Sequence, residues 1–386
     1  MKYENEFPVH DQSPIYLDHA AHGPWPRRTL MAIEQFSQSM YRASFRYKEA
    51  IQAEDRLREQ FRQLIGAASV EDIAILKNTS EGLSVVAHGI DWRPGDNVVI
   101  TDQEFPSNRI VWHSLESQGV EMREAAISRA GLNEDASPEA IIERSCDQHT
   151  RLVAVSSVQY ATGLRMDLEC LSAFCRRKDI LFCVDAIQSL GVLPLDVQAI
   201  GIDFLAADGH KWMLGPEGVA VFYCRPELRE RLLLRQYGWH MVEDHLNFDN
   251  RDWAVAESAR RFECGSQNTM GILALNASLS LLLEIGMEEV TRGVLQNTSY
   301  LLEAIRQNQR LAPLSPPLVL ENPTRRSGIV TFHAPGTDSR KLTNKLVASG
   351  VRCSPRGGGI RFSPHFYTPE EQLESAMQQV DKFLDS

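Results

Sequence analysis

The sequence predicts an α/β fold: a mostly parallel sheet covered by helices on both faces, followed by a smaller α+β domain. Three observations carry this. Short apolar runs alternate with amphipathic stretches from about residue 73 onward, the pattern of parallel strands joined by crossover helices. The chain has 386 residues, enough to bury one large core and a second, lesser one. A proline-rich break at Leu311-Ala312-Pro313-Leu314-Ser315-Pro316-Pro317 ends a long helical stretch and opens a differently patterned remainder.

Taken in order, residues 27 to about 65 have apolar residues at helical spacing among many Arg, Glu and Gln. Strands are expected at 73–76, 97–100, 152–155, 180–184, 204–206 and 219–223. Helices are expected between them at 81–89, 108–118, 138–147, 168–178 and 226–235. A long helical stretch covers 269 to about 309. Beyond the proline break come a strand at 328–333, a helix at 339–349, strands near Val351 and Ile360, and a helix at 369–384. The division expected is an N-terminal segment, 1–25, at the mouth of the site, a large domain, 26–285, and a small domain, 286–386. No internal repeat or low-complexity segment interrupts the chain.

Charge and composition narrow the partners. Forty Lys and Arg against 51 Asp and Glu give a net charge of −11, which argues against nucleic acid or an anionic membrane. No apolar run approaches the roughly 20 residues of a membrane span. The opening Met1-Lys2-Tyr3-Glu4-Asn5-Glu6 lacks the apolar stretch of a signal peptide. Seven cysteines without CxxC spacing suit a reducing cytoplasm better than a disulfide framework, with Cys170 and Cys175 read as small packing residues.

The chemistry centres on Val184-Asp185-Ala186-Ile187-Gln188 and Asp208-Gly209-His210-Lys211-Trp212, with a short apolar strand between them. Lysine is seldom buried unless paired or chemically employed. A lysine at a strand end, with an upstream carboxylate, is what an enzyme using pyridoxal 5'-phosphate (PLP) needs: one forms a Schiff base, the other keeps the pyridine nitrogen protonated. Ligands of such sheets gather at the carboxyl ends of the strands. Asn78-Thr79-Ser80-Glu81-Gly82, at a strand-to-helix turn, offers hydroxyls and free N–H groups to a phosphate, or else an ordinary helix cap. Phe105, before Pro106-Ser107-Asn108, can stack on the pyridine face or pack in the core. Gln188 can reach the ring hydroxyl. His19 and His22 are candidates for a second acid or base at the mouth, or for plain loop hydrogen bonding. Tyr237-Gly238-Trp239-His240 is read as substrate-pocket lining or interface packing.

These residues together resemble the class V aminotransferase family of fold-type I PLP enzymes, nearly end to end, from Tyr16-Leu17-Asp18-His19-Ala20-Ala21 to Ile360-Arg361-Phe362-Ser363. That family includes cysteine desulfurases, isopenicillin N epimerase-like proteins and kynureninases. The block from Asp185 to Tyr223 looks most like group II cysteine desulfurases and selenocysteine lyases. Phe105-Pro106-Ser107-Asn108 and Val158-Gln159-Tyr160-Ala161-Thr162-Gly163 look more like kynureninase segments. The resemblance implies a seven-stranded-type sheet, PLP as cofactor, and Lys211 and Asp185 as the catalytic residues. It implies Gln188 at the ring oxygen, Gln159 near the ring substituents, and Thr79, Ser80 and His210 at the phosphate. Ser266, in Arg261-Phe262-Glu263-Cys264-Gly265-Ser266, matches a stretch reaching the neighbouring subunit's phosphate, which implies a homodimer. Arg361 matches the arginine that clamps the substrate α-carboxylate, a task suited to its planar fork.

Departures from the family pattern shape the expected reaction. Desulfurases carry a persulfide-forming cysteine on a loop before the clamp arginine; here Ser354-Pro355-Arg356-Gly357-Gly358-Gly359 has no thiol, and Cys353 is read as structural. Phe105 stands where desulfurases stack a histidine. Asp208 replaces the usual serine and is awkward beside a phosphate, so it is expected to face an N–H group or a basic residue. The leading expectation is Cα–H cleavage on a small amino acid, leading to β-elimination or epimerisation. An aminotransferase is the alternative, a desulfurase comes third, and a catalytically silent protein of the same fold is the reading from another class.

Overall fold

The computed structural model describes residues 3–7, 14–129 and 136–385, so part of the N-terminal segment lies outside the described residues. Seven strands form the main sheet: β1 (Ile73–Leu76), β2 (Asn97–Thr101), β3 (Glu121–Ala125), β4 (Thr150–Ser156), β5 (Leu181–Asp185), β6 (Phe204–Asp208) and β7 (Ala220–Cys224). They lie in the spatial order β1-β7-β6-β5-β4-β2-β3. All neighbours pair parallel except β7, which runs antiparallel to both β6 and β1. The carboxyl ends of β1, β2, β4, β5 and β6 therefore share one edge. The resemblance implied this fold.

Alternation along each strand divides the core between two faces. Ile73, Ile75, Val153, Val155, Phe182, Val184, Leu205 and Ala207 belong to one apolar cluster. Their neighbours Ala74, Leu76, Leu152, Ala154, Cys183, Phe204 and Ala206 belong to the other. Both faces are dry, which is why these strands read as unbroken apolar runs rather than as alternating ones.

Four expectations need correction. Strand β3 is absent from the sequence prediction because Glu-Met-Arg-Glu-Ala reads as polar; it is the sheet edge, where charged side chains discourage further pairing. The helix expected at 226–235 is only a 3₁₀ segment, Pro226–Arg231, after which Leu232 is buried and Leu233 N–H bonds to Gly89 O at 2.7 Å. Docking onto the end of the helix Thr79–Gly89 takes over the backbone that would have continued the turn. The first helical stretch breaks into Arg27–Tyr41 and Tyr47–Ile65, with Ala43 left-handed at φ 52° between them. The stretch from 269 likewise divides into Thr269–Ile285 and Met287–Gln307, bent by 86° at Gly286. No single helix among the described residues is long and apolar enough to cross a membrane.

The C-terminal part carries a four-stranded antiparallel sheet of Ser354–Arg356, Gly359–Phe362, Val330–His333 and Ala312–Pro313, in that order, with its own apolar cluster. The N-terminal segment touches both sheets' surroundings: Ile15–Tyr16 pairs with Val351–Arg352, and Gln188 Nε2 donates to Ala20 O at 3.0 Å. Among the described residues every cysteine is free; Cys175 packs in the core as expected, whereas Cys170 is exposed.

Candidate active site

Lys211 lies just past the end of β6. The turn that carries it is tied down by Gly209 N–H to Val219 O and Gly215 N–H to Gly209 O, both at 2.9 Å. Its side chain is buried, with Nζ 5.6 Å from the centroid of the Phe105 ring. Asp185 closes the neighbouring β5, also buried, and accepts a hydrogen bond from Ile187 N–H at 3.0 Å. Burial pushes Lys211 below the ordinary ammonium range, with the Asp185 carboxylate pulling the other way. Burial likewise raises Asp185 above the usual carboxylate range, opposed by the Ile187 amide and Lys211. A lysine depressed beside a carboxylate at a strand-end cleft marks the pair as a candidate site for chemistry.

The cleft around this pair encloses about 280 Å³. Thr79, Ser80, Phe105, Asp185, Gln188, Asp208, His210, Lys211 and Arg361 all line it, so nine of the sequence-predicted residues converge. Asn78 already caps the helix Thr79–Gly89 by accepting from Glu81 N–H at 2.9 Å. The hydroxyls of Thr79 and Ser80 are thereby spared the capping role: Thr79 Oγ1 accepts from Asp208 N–H at 3.0 Å, and Ser80 Oγ lies 2.8 Å from Ser107 Oγ. Asp208 does face a basic residue: its Oδ1 lies 3.1 Å from His210 Nδ1. No hydrogen bond joins the two, and both buried atoms lack a partner of that kind. Phe105 is 40% exposed and turned to the cleft, edge-on to Tyr160 at 5.3 Å, rather than packed in the core. Arg361 is 1% exposed; Nη1 donates to Tyr160 O at 3.0 Å, Nη2 to Asp18 Oδ1 at 3.2 Å, and Nε has no partner.

Other candidates fall elsewhere. Gln159 is fully buried behind the cleft wall, where Nε2 donates to Glu104 at 3.2 Å and Oε1 has no partner. Gln188 lines the cleft, but Oε1 accepts from Trp212 Nε1 at 2.9 Å while Nε2 holds Ala20 O. Ser266 is exposed and outside this chain's own cleft. His19 cannot serve as an acid or base at the mouth: it is 0% exposed, with its two ring nitrogens against Ser363 O and the Tyr367 hydroxyl. His22 stands at the rim, its ring 5.8 Å from that of His210. Tyr237 and Trp239 line a different surface hollow with Phe248 and Trp253, and His240 is buried between Glu54 and Glu263, so this segment does not line the Lys211 cleft. Sequence reasoning gave no role to Tyr160, Ser107 and Arg356 in the wall, or to Asp18 behind Arg361. Adjacency to Gln159 was the signal for Tyr160, and the run of three glycines after Arg356 marked a tight turn.

The segment before the first helix crosses directly over the lysine. Gly23 N–H donates to His210 O at 2.7 Å, and a Cβ at Gly23 would stand 2.2 Å from the Lys211 carbonyl oxygen. We predict that Gly23→Ala destabilises the fold by about 1–3 kcal/mol through overpacking and speeds cofactor loss. Thermal denaturation and dialysis of the loaded protein check this; an unchanged melting temperature would show that the strap is not held against Lys211.

The donor set fits PLP by its own chemistry: a buried amine, a buried carboxylate, an aromatic face and a helix start whose side-chain cap comes from the residue before it. Fold and cleft together define a PLP-dependent enzyme of fold type I. The family described as aminotransferase class V matches residues 15–375. A probable cysteine desulfurase of Methanothermobacter thermautotrophicus is 28% identical over 93% of this chain and 92% of its own length. A cysteine desulfurase of Pectobacterium carotovorum is 31% identical, over 84% of this chain and 79% of that one. The apo structure of a cysteine desulfurase from Thermococcus onnurineus superposes with a TM-score of 0.87 at 25% identity, covering 100% of this chain and 98% of that one. The chain therefore belongs to the class V aminotransferase family, as the resemblance implied. It is an enzyme, PLP is its cofactor, and its substrate is an amino acid.

Proposed function

We propose that this enzyme is a lyase that removes the Cα proton of a small amino acid and expels the β-substituent. The observation that carries this reading is the pairing of buried Lys211 with buried Asp185 on the floor of a cleft whose wall holds Arg361. Bound PLP supplies an electron-withdrawing ring that takes up the electron pair left on Cα. Lys211 Nζ anchors the cofactor and then, as a free amine, accepts the Cα proton. Asp185 keeps the proton on the pyridine nitrogen. Arg361 fixes the α-carboxylate with its two-pronged donor, while Asp18 and Tyr160 O fix Arg361. Thr79, Ser80, His210 and the first amides of the helix Thr79–Gly89 bind the phosphate. Phe105, its ring centroid 5.6 Å from Lys211 Nζ, would cover a bound ring and shield it from water.

Two features favour elimination over its rivals. Epimerisation would need a second proton carrier opposite Lys211, and His19, one candidate for that role, is sealed at 0% exposure. Desulfuration needs a mobile thiol; the hairpin 354–359 has none, and Cys353 is 7% exposed, with burial, seconded by Asp18, pushing its thiol up to about 12. The relatives' desulfurase names speak for C–S bond cleavage as the lyase reaction. A homodimer in a reducing cytoplasm, with Ser266 reaching the partner's phosphate, completes the proposal.

An amino-acid panel tests it. Without any 2-oxo acid present, the expected products are a three-carbon 2-oxo acid, ammonia and the released β-group. Cys353→Ala is expected to keep the rate within about twofold, since a buried thiol is a packing residue. Turnover that strictly requires a 2-oxo acid would instead establish the aminotransferase, and loss of turnover in Cys353→Ala would restore the desulfurase.

A further inference from the structure

Arg356 is a cleft residue that the reaction as described leaves unused. It ends the strand Ser354–Arg356, whose register pairs Arg356 with Gly359 across the turn. The two turn residues, Gly357 and Gly358, have φ of +55° and +84°. Two successive positive φ values define a tight two-residue hairpin that only glycine and a few others accept. The backbone that carries Arg356 is therefore held by a tight turn at the cleft.

Its charge also has no ion-pair partner among the described residues. Half-buried Arg356 lines the same cleft as Lys211 and Arg361, and its recorded hydrogen bond is Nη1 to Pro355 O at 2.9 Å. Among the described residues no carboxylate lies within ion-pair distance of it, whereas Arg361 has Asp18 and His210 has Asp208. Arg361 is pushed below its ordinary range by burial first, and Arg356 adds to that while Asp18 opposes it. Arg356 similarly disfavours the charged form of Lys211. A single α-carboxylate on Arg361 would leave the second guanidinium facing the cleft without a counter-ion, a costly arrangement once water is excluded.

We propose that Arg356 is a second anion-binding group of this site, and that the substrate is an α-amino acid whose side chain itself ends in a negative charge: a carboxylate, sulfinate, sulfonate or phosphate ester. This rests on the reading of the cleft as an amino-acid site with Arg361 at the α-carboxylate. Arginine is well shaped for each of these anions, and a neutral side chain of equal size would leave it unpaired.

The test is a titration of the loaded enzyme with maleate, a dicarboxylate, and crotonate, a monocarboxylate of similar length, by calorimetry. Neither ligand has an amino group, so binding is read without turnover. The wild-type protein is expected to bind maleate about tenfold or more tightly than crotonate. Arg356→Gln should erase that preference while leaving crotonate binding and the melting temperature unchanged, and Arg356→Lys should restore part of it. Equal affinities in the wild type, or a preference that survives Arg356→Gln, would overturn the proposal. Failure of the lyase reading looks different: anionic ligands still discriminate, but no β-group is released from any amino acid.

Discussion

Lys211→Ala is expected to abolish the visible absorbance of the bound cofactor and to lower turnover by roughly 10²–10⁴-fold or more, the contribution of a positioned acid–base group before anchoring is counted. The fold should survive. Lys211 is buried and has no ion pair within contact distance among the described residues, so its removal takes away a desolvated charge rather than a structural bond. The melting temperature of the cofactor-free variant should match or exceed that of the cofactor-free parent. Separately, because burial depresses Lys211, its amine becomes nucleophilic well below the pH that an exposed lysine requires. Cofactor capture by the stripped wild-type protein should therefore rise with pH through a midpoint clearly under 10.5, the ordinary lysine value. A midpoint at that ordinary value would mean that another, exposed lysine is responsible.

Asp185→Asn carries the second large effect, and it separates chemistry from loading. The substitution is nearly isosteric and can keep an acceptor for the Ile187 amide, whose hydrogen bond to Asp185 Oδ1 is 3.0 Å long. What it removes is the negative charge beside the ring nitrogen, so turnover is expected to fall on the order of 10²–10³-fold, the scale of losing one preorganised electrostatic partner. Capture should not slow. The Asp185 carboxylate is the largest influence favouring the protonated form of Lys211, so its loss leaves a larger neutral fraction of the amine near pH 7. Stopped-flow capture and steady-state turnover on the same preparation give both numbers. A variant in which the two fall together would place Asp185 in holding the cofactor rather than in stabilising charge at Cα.

The core of the site was readable because its residues sit at the ends of strands. Asp185, Asp208 and Lys211 each follow an apolar run, and dry parallel strands bring the ends of such runs to one edge whatever the connecting helices do. Asn78-Thr79-Ser80 was legible for the same reason. The rest depended on long-range geometry. Arg356 meets Lys211 across a separate sheet, through a register that pattern alone does not set. His19 looked available in a Gly- and Pro-rich opening, yet the pairing of 15–16 with 351–352 draws it against Ser363 and Tyr367. Tyr237 and Trp239 carry aromatic rings suited to a pocket, and they do line one, but it is a different hollow from the Lys211 cleft. The edge strand Glu121–Ala125 escaped notice because an exposed edge has no apolar signature to display.

The most direct measurement reduces the loaded protein with borohydride, digests it and maps the pyridoxyl group by mass spectrometry. The prediction is a single modified peptide carrying the adduct on Lys211, absent when the cofactor is stripped beforehand. An adduct on any other lysine, or none at all from a protein that retains the cofactor, would contradict the account of this cleft.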